Sequence, residues 1–308
     1  MKYIKINDNF EVSQVALGCW RIGEKSVEEN EKLIEAALTE GINFIDLADI
    51  YANGNSEIRL GEVLKKHPDW RKKMFIQTKC GIRNNDNKFY DFSKEHIIKS
   101  VETSLERMNT EYIDVLLLHR PDTLMDPKEV AEAFDELYIS GKVKYFGVSN
   151  MIPMQMTLLQ KFMKQPLLFN QLQFNPVKAN LVSNAIFMNM IEEIAIDYDR
   201  SILDYCRIHD ITIQPWSILQ IDRKEGTFLE HKAYPELNEA LQKYATKYNV
   251  SKSAVVLAWI LRHPANMQPI LGTTNPARVK EMCAGIDVHL TREEWYDIYM
   301  QGVKKRLP

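Results

Sequence analysis

Short apolar runs of strand character alternate with helical windows along the whole chain, and no other feature constrains the fold as strongly. The strand runs are VALG (15–18), NFIDL (43–47), MFIQTK (74–79), YIDVLLLH (112–119), VKYFGVSN (143–150), FNQLQF (169–174), TIQPWS (212–217) and QPILG (268–272). Helical windows follow at 26–40, 56–66, 93–108, 127–140, 153–163, 201–209, 234–248, 251–263, 276–285 and 291–301. Ser26 and Ser93 open their windows in capping-box patterns, SVEE and SKEH, and Gly41 and Gly141 follow two of the windows as C-terminal stops. Strands that are almost continuously apolar are those covered on both faces, as in a parallel sheet. Eight strand–helix alternations predict an α/β fold, a (β/α)8 TIM barrel forming a single domain over 1–308. Ahead of the first strand, YIKI-NDN-FEVS predicts a β-hairpin around Asn7-Asp8-Asn9 that could close the bottom of the barrel. Two long connections, 175–200 and 220–233, leave the carboxyl face. The apolar residues of 184–199 predict an extra helix over the barrel mouth, and the 84–92 loop could close the same mouth.

Composition narrows the function class. The 308 residues are 45% apolar and carry a net charge of -3 with acids and bases interspersed, so no nucleic-acid footprint or polybasic membrane patch is expected. Cys19, Cys80, Cys206 and Cys283 lie far apart without a CxxC, which argues against a disulfide framework or a metal site and fits a reducing cytoplasm. MKYIKINDNF has no apolar core of a secretory signal, and no run approaches the ~18 residues of a membrane span. No coiled-coil repeat demands a partner chain.

Three successive strand runs end on ionisable residues, Asp46, Lys79 and His119, with Tyr51 five residues beyond Asp46. In a parallel barrel these ends share the face that carries active sites. A lysine ammonium near a tyrosine lowers the phenol pKa, a carboxylate keeps that lysine charged and placed, and a histidine can donate to a substrate oxygen. Together they suit protonation of the oxygen of a carbonyl under reduction. Taken singly, Asp46 and Lys79 read as a buried ion pair and His119 as a satisfied core histidine; the convergence of all four on one face favours catalysis.

The later strands end differently. Ser149, Asn150 and Gln171 are short polar groups able to hydrogen-bond a planar amide, or they are strand-end turn chemistry. Trp216 could stack on a flat heteroaromatic ring or pack in the core. The stretch LGTTNPARVKE (271–281) is a strand end, a loop with Gly272, Thr273 and Thr274, and a helix start with Pro276 in its first turn. Backbone N–H groups there attract an anion and Arg278 adds a guanidinium fork. A ring-stacking indole, an amide clamp and a phosphate site describe a nicotinamide dinucleotide held across the barrel, without the GxGxxG of a Rossmann fold.

Eight segments carry a family likeness: LGCWRIG (17–23), DLADIY (46–51), QTKCGI (77–82), LLLHRPD (116–122), GKVKYFGVSN (141–150), NQLQFNP (170–176), PWS (215–217) and GTTNPARVKE (272–281). On these, over essentially its whole length, the chain resembles the aldo-keto reductase family, closest to a bacterial subgroup of uncharacterised oxidoreductases. The resemblance implies NADPH-dependent reduction of aldehyde or ketone carbonyls, with Asp46, Tyr51, Lys79 and His119 as a catalytic tetrad and Tyr51 the proton donor. It implies nicotinamide-binding roles for Ser149, Asn150, Gln171 and Trp216, an adenosine-phosphate role for Arg278 with Glu281 nearby, and cofactor-binding roles for Ser217, Gly272, Thr273 and Thr274. Trp20, Tyr51 and His119 would line the substrate pocket. Many family members carry a lysine where this chain has Gly272, so the preference for NADPH over NADH is expected to be weaker here. Two other readings compete: an NADPH-binding redox-sensing subunit with vestigial catalysis, and a barrel isomerase or aldolase with Lys79 as a Schiff base, which leaves Trp216, GVSN and Tyr51 without a role.

Overall fold

The structure is a computed structural model that describes residues 1–84 and 87–308. Of the expected 84–92 loop, residues 85–86 therefore lie outside the described residues. Eight parallel strands form one sheet, β1 (Ala16–Gly18), β2 (Phe44–Asp46), β3 (Phe75–Cys80), β4 (Ile113–Leu118), β5 (Val143–Ser149), β6 (Leu167–Gln173), β7 (Thr212–Trp216) and β8 (Ile270–Leu271). Each pairs with its sequence neighbour, and β8 returns to pair with β1. The remaining seam, β7 to β8, is bridged by the Gln268 N–H donating to the Ile213 carbonyl at 2.9 Å. The expected barrel is thus present, nearly closed, with helices around it.

The helices follow their sequence signals. Ser26 caps helix Val27–Thr39 in a full capping box, its hydroxyl accepting from the Glu29 N–H at 3.2 Å while Glu29 accepts from the Ser26 N–H at 2.9 Å. Ser93 caps helix Lys94–Met108, but the reciprocal bond is absent because its third helical residue is His96, not a glutamate. Expected and observed ends differ elsewhere by one to three residues, as helix 153–163 ending at Gln160 shows.

Side chains inside the barrel form layers. Phe44, Phe75, Tyr145 and Phe169 point inward at the amino end, where the hairpin Tyr3–Asn7 and Phe10–Ser13 inserts Phe10 among them. The Phe10 ring stacks on Tyr145 at 4.3 Å and meets Phe75 edge-on at 4.8 Å. Because strand side chains alternate, the next inward positions lie two residues on, at Asp46, Gln77 and Gln171, and then Lys79. The interior therefore changes from aromatic at the floor, through amides, to charge at the carboxyl face.

The long connections are not plain loops. Ile82–Asn84 pairs with Lys88–Tyr90, and Gln220–Asp222 with Gly226–Thr227, each as a short antiparallel ribbon. The extra helix in the 175–200 segment spans Asn180–Ile186, earlier than expected, and a short 3-10 turn follows at Glu193–Ala195. Tyr299 of the C-terminal helix Arg292–Val303 donates to the extra helix's Ser183 hydroxyl at 2.9 Å, and its Leu181 and Val182 are buried. Among the described residues no helix is long and apolar enough to cross a membrane.

Candidate active site

Tyr51, Lys79 and Asp46 form one hydrogen-bonded line at the carboxyl ends of β2 and β3. The Lys79 ammonium, fully buried, donates to the Tyr51 hydroxyl at 3.0 Å, to Asp46 Oδ2 at 2.9 Å and to the Leu47 carbonyl at 2.6 Å. All three of its protons are thereby assigned. Tyr51 is delivered by a single 3-10 turn, Tyr51–Gly54, in which Ala52, Asn53 and Gly54 adopt positive φ. Gly54 suits the turn because its φ of 89° is a backbone conformation that L side chains rarely adopt. Arg107 braces the turn by donating to the Asp49 carbonyl at 3.0 Å and to Glu57 at 3.1 Å, and Glu57 accepts from Thr78 at 2.7 Å. His119 follows β4, its ring edge-on to Tyr51 at 5.8 Å.

The protonation states follow from burial. Desolvation works against the Lys79 charge, but Asp46 and Tyr51 outweigh it and lift its pKa above the ordinary lysine value. The expected lowering of the Tyr51 pKa is corrected: Lys79 pulls it down, yet burial pushes it up more, and the phenol keeps its proton at neutral pH. Burial, reinforced by Lys79 and Arg120, holds His119 well below 6.5, so the imidazole is neutral. Its Nδ1 is enclosed without a partner among the described residues.

Behind this line runs a network the sequence reading missed. Asp46 Oδ1 accepts from Gln77 at 2.6 Å and from Gln171 at 2.9 Å; both amides also donate to Gln214, which donates to Gln268. Gln77 and Gln214 stand two residues before Lys79 and Trp216, so stepping back along each strand at period two would have found them. Arg223, from the second ribbon, was also missed; its guanidinium lies 5.5 Å from the Trp20 ring, and Arg120 lies 5.7 Å from the Trp216 ring.

The other expected residues fall into two groups. Ser149, Asn150, Gln171 and Trp216 are brought together: Trp216 Nε1 donates to Asn150 Oδ1 at 3.3 Å, Asn150 to the Ser149 hydroxyl at 2.7 Å, and Ser149 to the Gln171 carbonyl at 3.0 Å. Ser217 donates to Gln220 at 3.0 Å. Trp20 is exposed at the rim. Beyond β8, the Thr273 hydroxyl accepts from the Asn275 N–H at 3.1 Å, Thr274 is half-buried, and Arg278 is exposed on helix Pro276–Cys283 with no ion pair among the described residues. The helix start is not a free anion cradle, because the Ala277 N–H already bonds Asn275 Oδ1 at 3.0 Å and the Arg278 N–H bonds the Asn275 carbonyl at 3.1 Å. Glu281 accepts from Ser253 at 2.8 Å, turned towards helix Lys252–Leu261. A Cβ at Gly272 would meet nothing within 4 Å, and the Gly272 carbonyl accepts from Arg21. The face thus offers an indole, short polar side chains at the ends of β5 and β6, and a guanidinium without an ion pair among the described residues, groups that fit a nicotinamide dinucleotide.

A model of the aldo/keto reductase family matches residues 14–299. A 6-dehydroglucose reductase of Agrobacterium fabrum is 36% identical over the whole of both chains, and oxidoreductase YdhF of Escherichia coli is 34% identical over 94% of this chain and 93% of its own. Among solved structures, the glycerol dehydrogenase of Gluconobacter oxydans superposes with a TM-score of 0.79 at 26% identity, covering 99% of this chain and 97% of that one. A thermostable aldo-keto reductase solved with the inhibitor epalrestat superposes at 0.78 and 22% identity over 98% of this chain and 100% of its own, a likeness of fold.

Proposed function

This chain belongs to the aldo/keto reductase family, whose members reduce carbonyls with NAD(P)H, and on that premise we propose that it is an NADPH-dependent carbonyl reductase with Tyr51 as proton donor. The observation that carries the proposal is the fully buried Lys79, bonded at once to Asp46 and to the Tyr51 hydroxyl. A bound nicotinamide supplies hydride to the carbonyl carbon. As charge grows on the substrate oxygen, the protonated Tyr51 hands its proton to that oxygen, and the Lys79 ammonium 3.0 Å away stabilises the phenolate left behind. Asp46 holds Lys79 in place, and the neutral His119 offers an N–H to orient the carbonyl without bringing a second positive charge to the pair. General-acid help of this kind is worth about 10²–10⁴ in rate. The redox-sensing alternative gains nothing from this arrangement, since a module that only binds has no use for a proton donor backed by a buried cation of its own.

Arg278 and the hydroxyls of Thr273 and Thr274 are proposed to read the 2′-phosphate, with Ser149, Asn150 and Gln171 on the carboxamide and Trp216 and Ser217 beside the ring. The name of the Agrobacterium relative makes an oxidised hexose the first carbonyl to try. The test follows loss of NADPH and NADH absorbance against a panel of sugar-derived and simple aldehydes. NADPH should support faster reduction, and Arg278→Ala should weaken NADPH roughly tenfold while sparing NADH, as removal of one charge-assisted bond predicts. Inactivity on every carbonyl would overturn the reductase reading, and equal weakening of both cofactors would remove Arg278 from the phosphate site.

A further inference from the structure

Four buried glutamines run down the barrel axis from Asp46 to the floor. Gln268 donates to the Ser13 carbonyl at 2.7 Å and accepts from Gln214 at 2.8 Å. Gln214 in turn accepts from Gln77 at 2.9 Å and from Gln171 at 3.2 Å, and both of these donate onward to Asp46 Oδ1. Gln77, Gln214 and Gln268 have no exposed surface and Gln171 has 3%.

The direction of the chain is forced from both ends. A backbone carbonyl and the carboxylate that holds Lys79 can only accept, so the amide nitrogen must face each of them. Reversing any one glutamine would set oxygen against oxygen. Gln77 shows the constraint, because it leaves its own Oε1 enclosed without a partner among the described residues rather than turn over. Gln171 is therefore held with both N–H bonds committed inward, and the carbonyl oxygen is the group it can present at the carboxyl face.

We infer that Gln214 and Gln268 are positioning residues that fix which end of the Gln171 amide meets the cofactor, so that its oxygen receives the NH2 of the nicotinamide carboxamide. This rests on the proposed placement of the nicotinamide beside Gln171. Neither Gln214 nor Gln268 need touch the cofactor. Gln268 acts from the barrel floor, through one intervening amide, by denying Gln214 its alternative orientation.

The test compares two cofactors in the same protein: NADP+, and its 3-acetylpyridine analogue, which keeps the carbonyl but has no amide N–H to donate. Dissociation constants are read from quenching of tryptophan fluorescence, without turnover. Gln268→Met and Gln214→Met should each weaken NADP+ about fivefold relative to the analogue, the effect of one neutral hydrogen bond. The ratio cancels general damage to the fold, and the two variants together cover the failure of one to fold. A ratio unchanged from wild type in either folded variant would overturn the inference. Gln171→Met separates this from failure of the underlying reading: it must shift the same ratio if Gln171 meets the carboxamide. If it shifts the ratio while Gln214→Met and Gln268→Met do not, the positioning role alone is wrong.

Discussion

At the scale of single residues, the polar groups that end strands were legible and the ones behind them were not. Asp46, Lys79 and His119 announce themselves because an apolar run that stops on charge breaks the turn grammar that should follow it, and Tyr51 stands five residues beyond the first of them. Gln77 and Gln214 lie inside their runs, where an amide among apolar neighbours carries no periodic signal of its own, and Glu57 sits in the first turn of helix Asn55–Lys66 like any surface acid. What pKa shifts result could not be read at all, because burial sets them. Asp49 illustrates the point: its Oδ1 is enclosed without a partner among the described residues, and burial, reinforced by Glu57, raises its carboxyl from 3.8 to about 7. The folded protein then holds a proton that the unfolded chain has lost, so stability falls as pH rises from about 4 to 7 and the deficit persists above. Asp49→Asn should therefore stabilise the protein at pH 8 by on the order of 2–4 kcal/mol, and far less at pH 4, in urea unfolding at the two pH values. Equal effects at both would mean that Asp49 is not protonated on folding.

At the scale of elements, eight strands and their helices were readable because each carries local signals: β-branched runs, Ser caps and Gly stops. The presence of the N-terminal hairpin was readable from Asn7-Asp8-Asn9, where the Asn7 side chain accepts from the Asn9 N–H at 3.0 Å, but not the register shift between Lys5 and Asn7. Its energetic weight was not, because Phe10 gains its partners only when four strands converge. Phe10 is 1% exposed and packs on Tyr145, Phe75, Phe44 and Phe169, sealing the floor beneath the glutamines. Phe10→Ala should cost about 3–5 kcal/mol, as buried Phe truncations do. Denaturant unfolding checks this, and a loss under ~1 kcal/mol would show that the hairpin is an ornament on a self-sufficient barrel. The extra helix expected within 184–199 begins earlier, at Asn180, for a related reason: its apolar residues signal burial, but the partner of its Ser183 is Tyr299, more than a hundred residues on.

At the scale of the whole molecule, the fold divides its interior by depth. An aromatic floor closes the barrel to water, four amides convey a fixed polarity upward, and a carboxylate, an ammonium and a phenol occupy the open face. Only the nearly closed barrel brings β2, β3, β6 and β7 around one axis, which is why the long-range partners of Asp46 carry no signal along the chain. The account stands or falls on Tyr51 as the proton donor. Its most direct test is a single-turnover experiment in which enzyme preloaded with NADPH meets an aldehyde, in wild type and Tyr51→Phe, with the dissociation constant for NADPH measured alongside. The account predicts unchanged NADPH binding and a rate of hydride transfer lower by about 10²–10⁴ in the variant. A variant that binds NADPH normally and transfers hydride within a few-fold of wild type would contradict it.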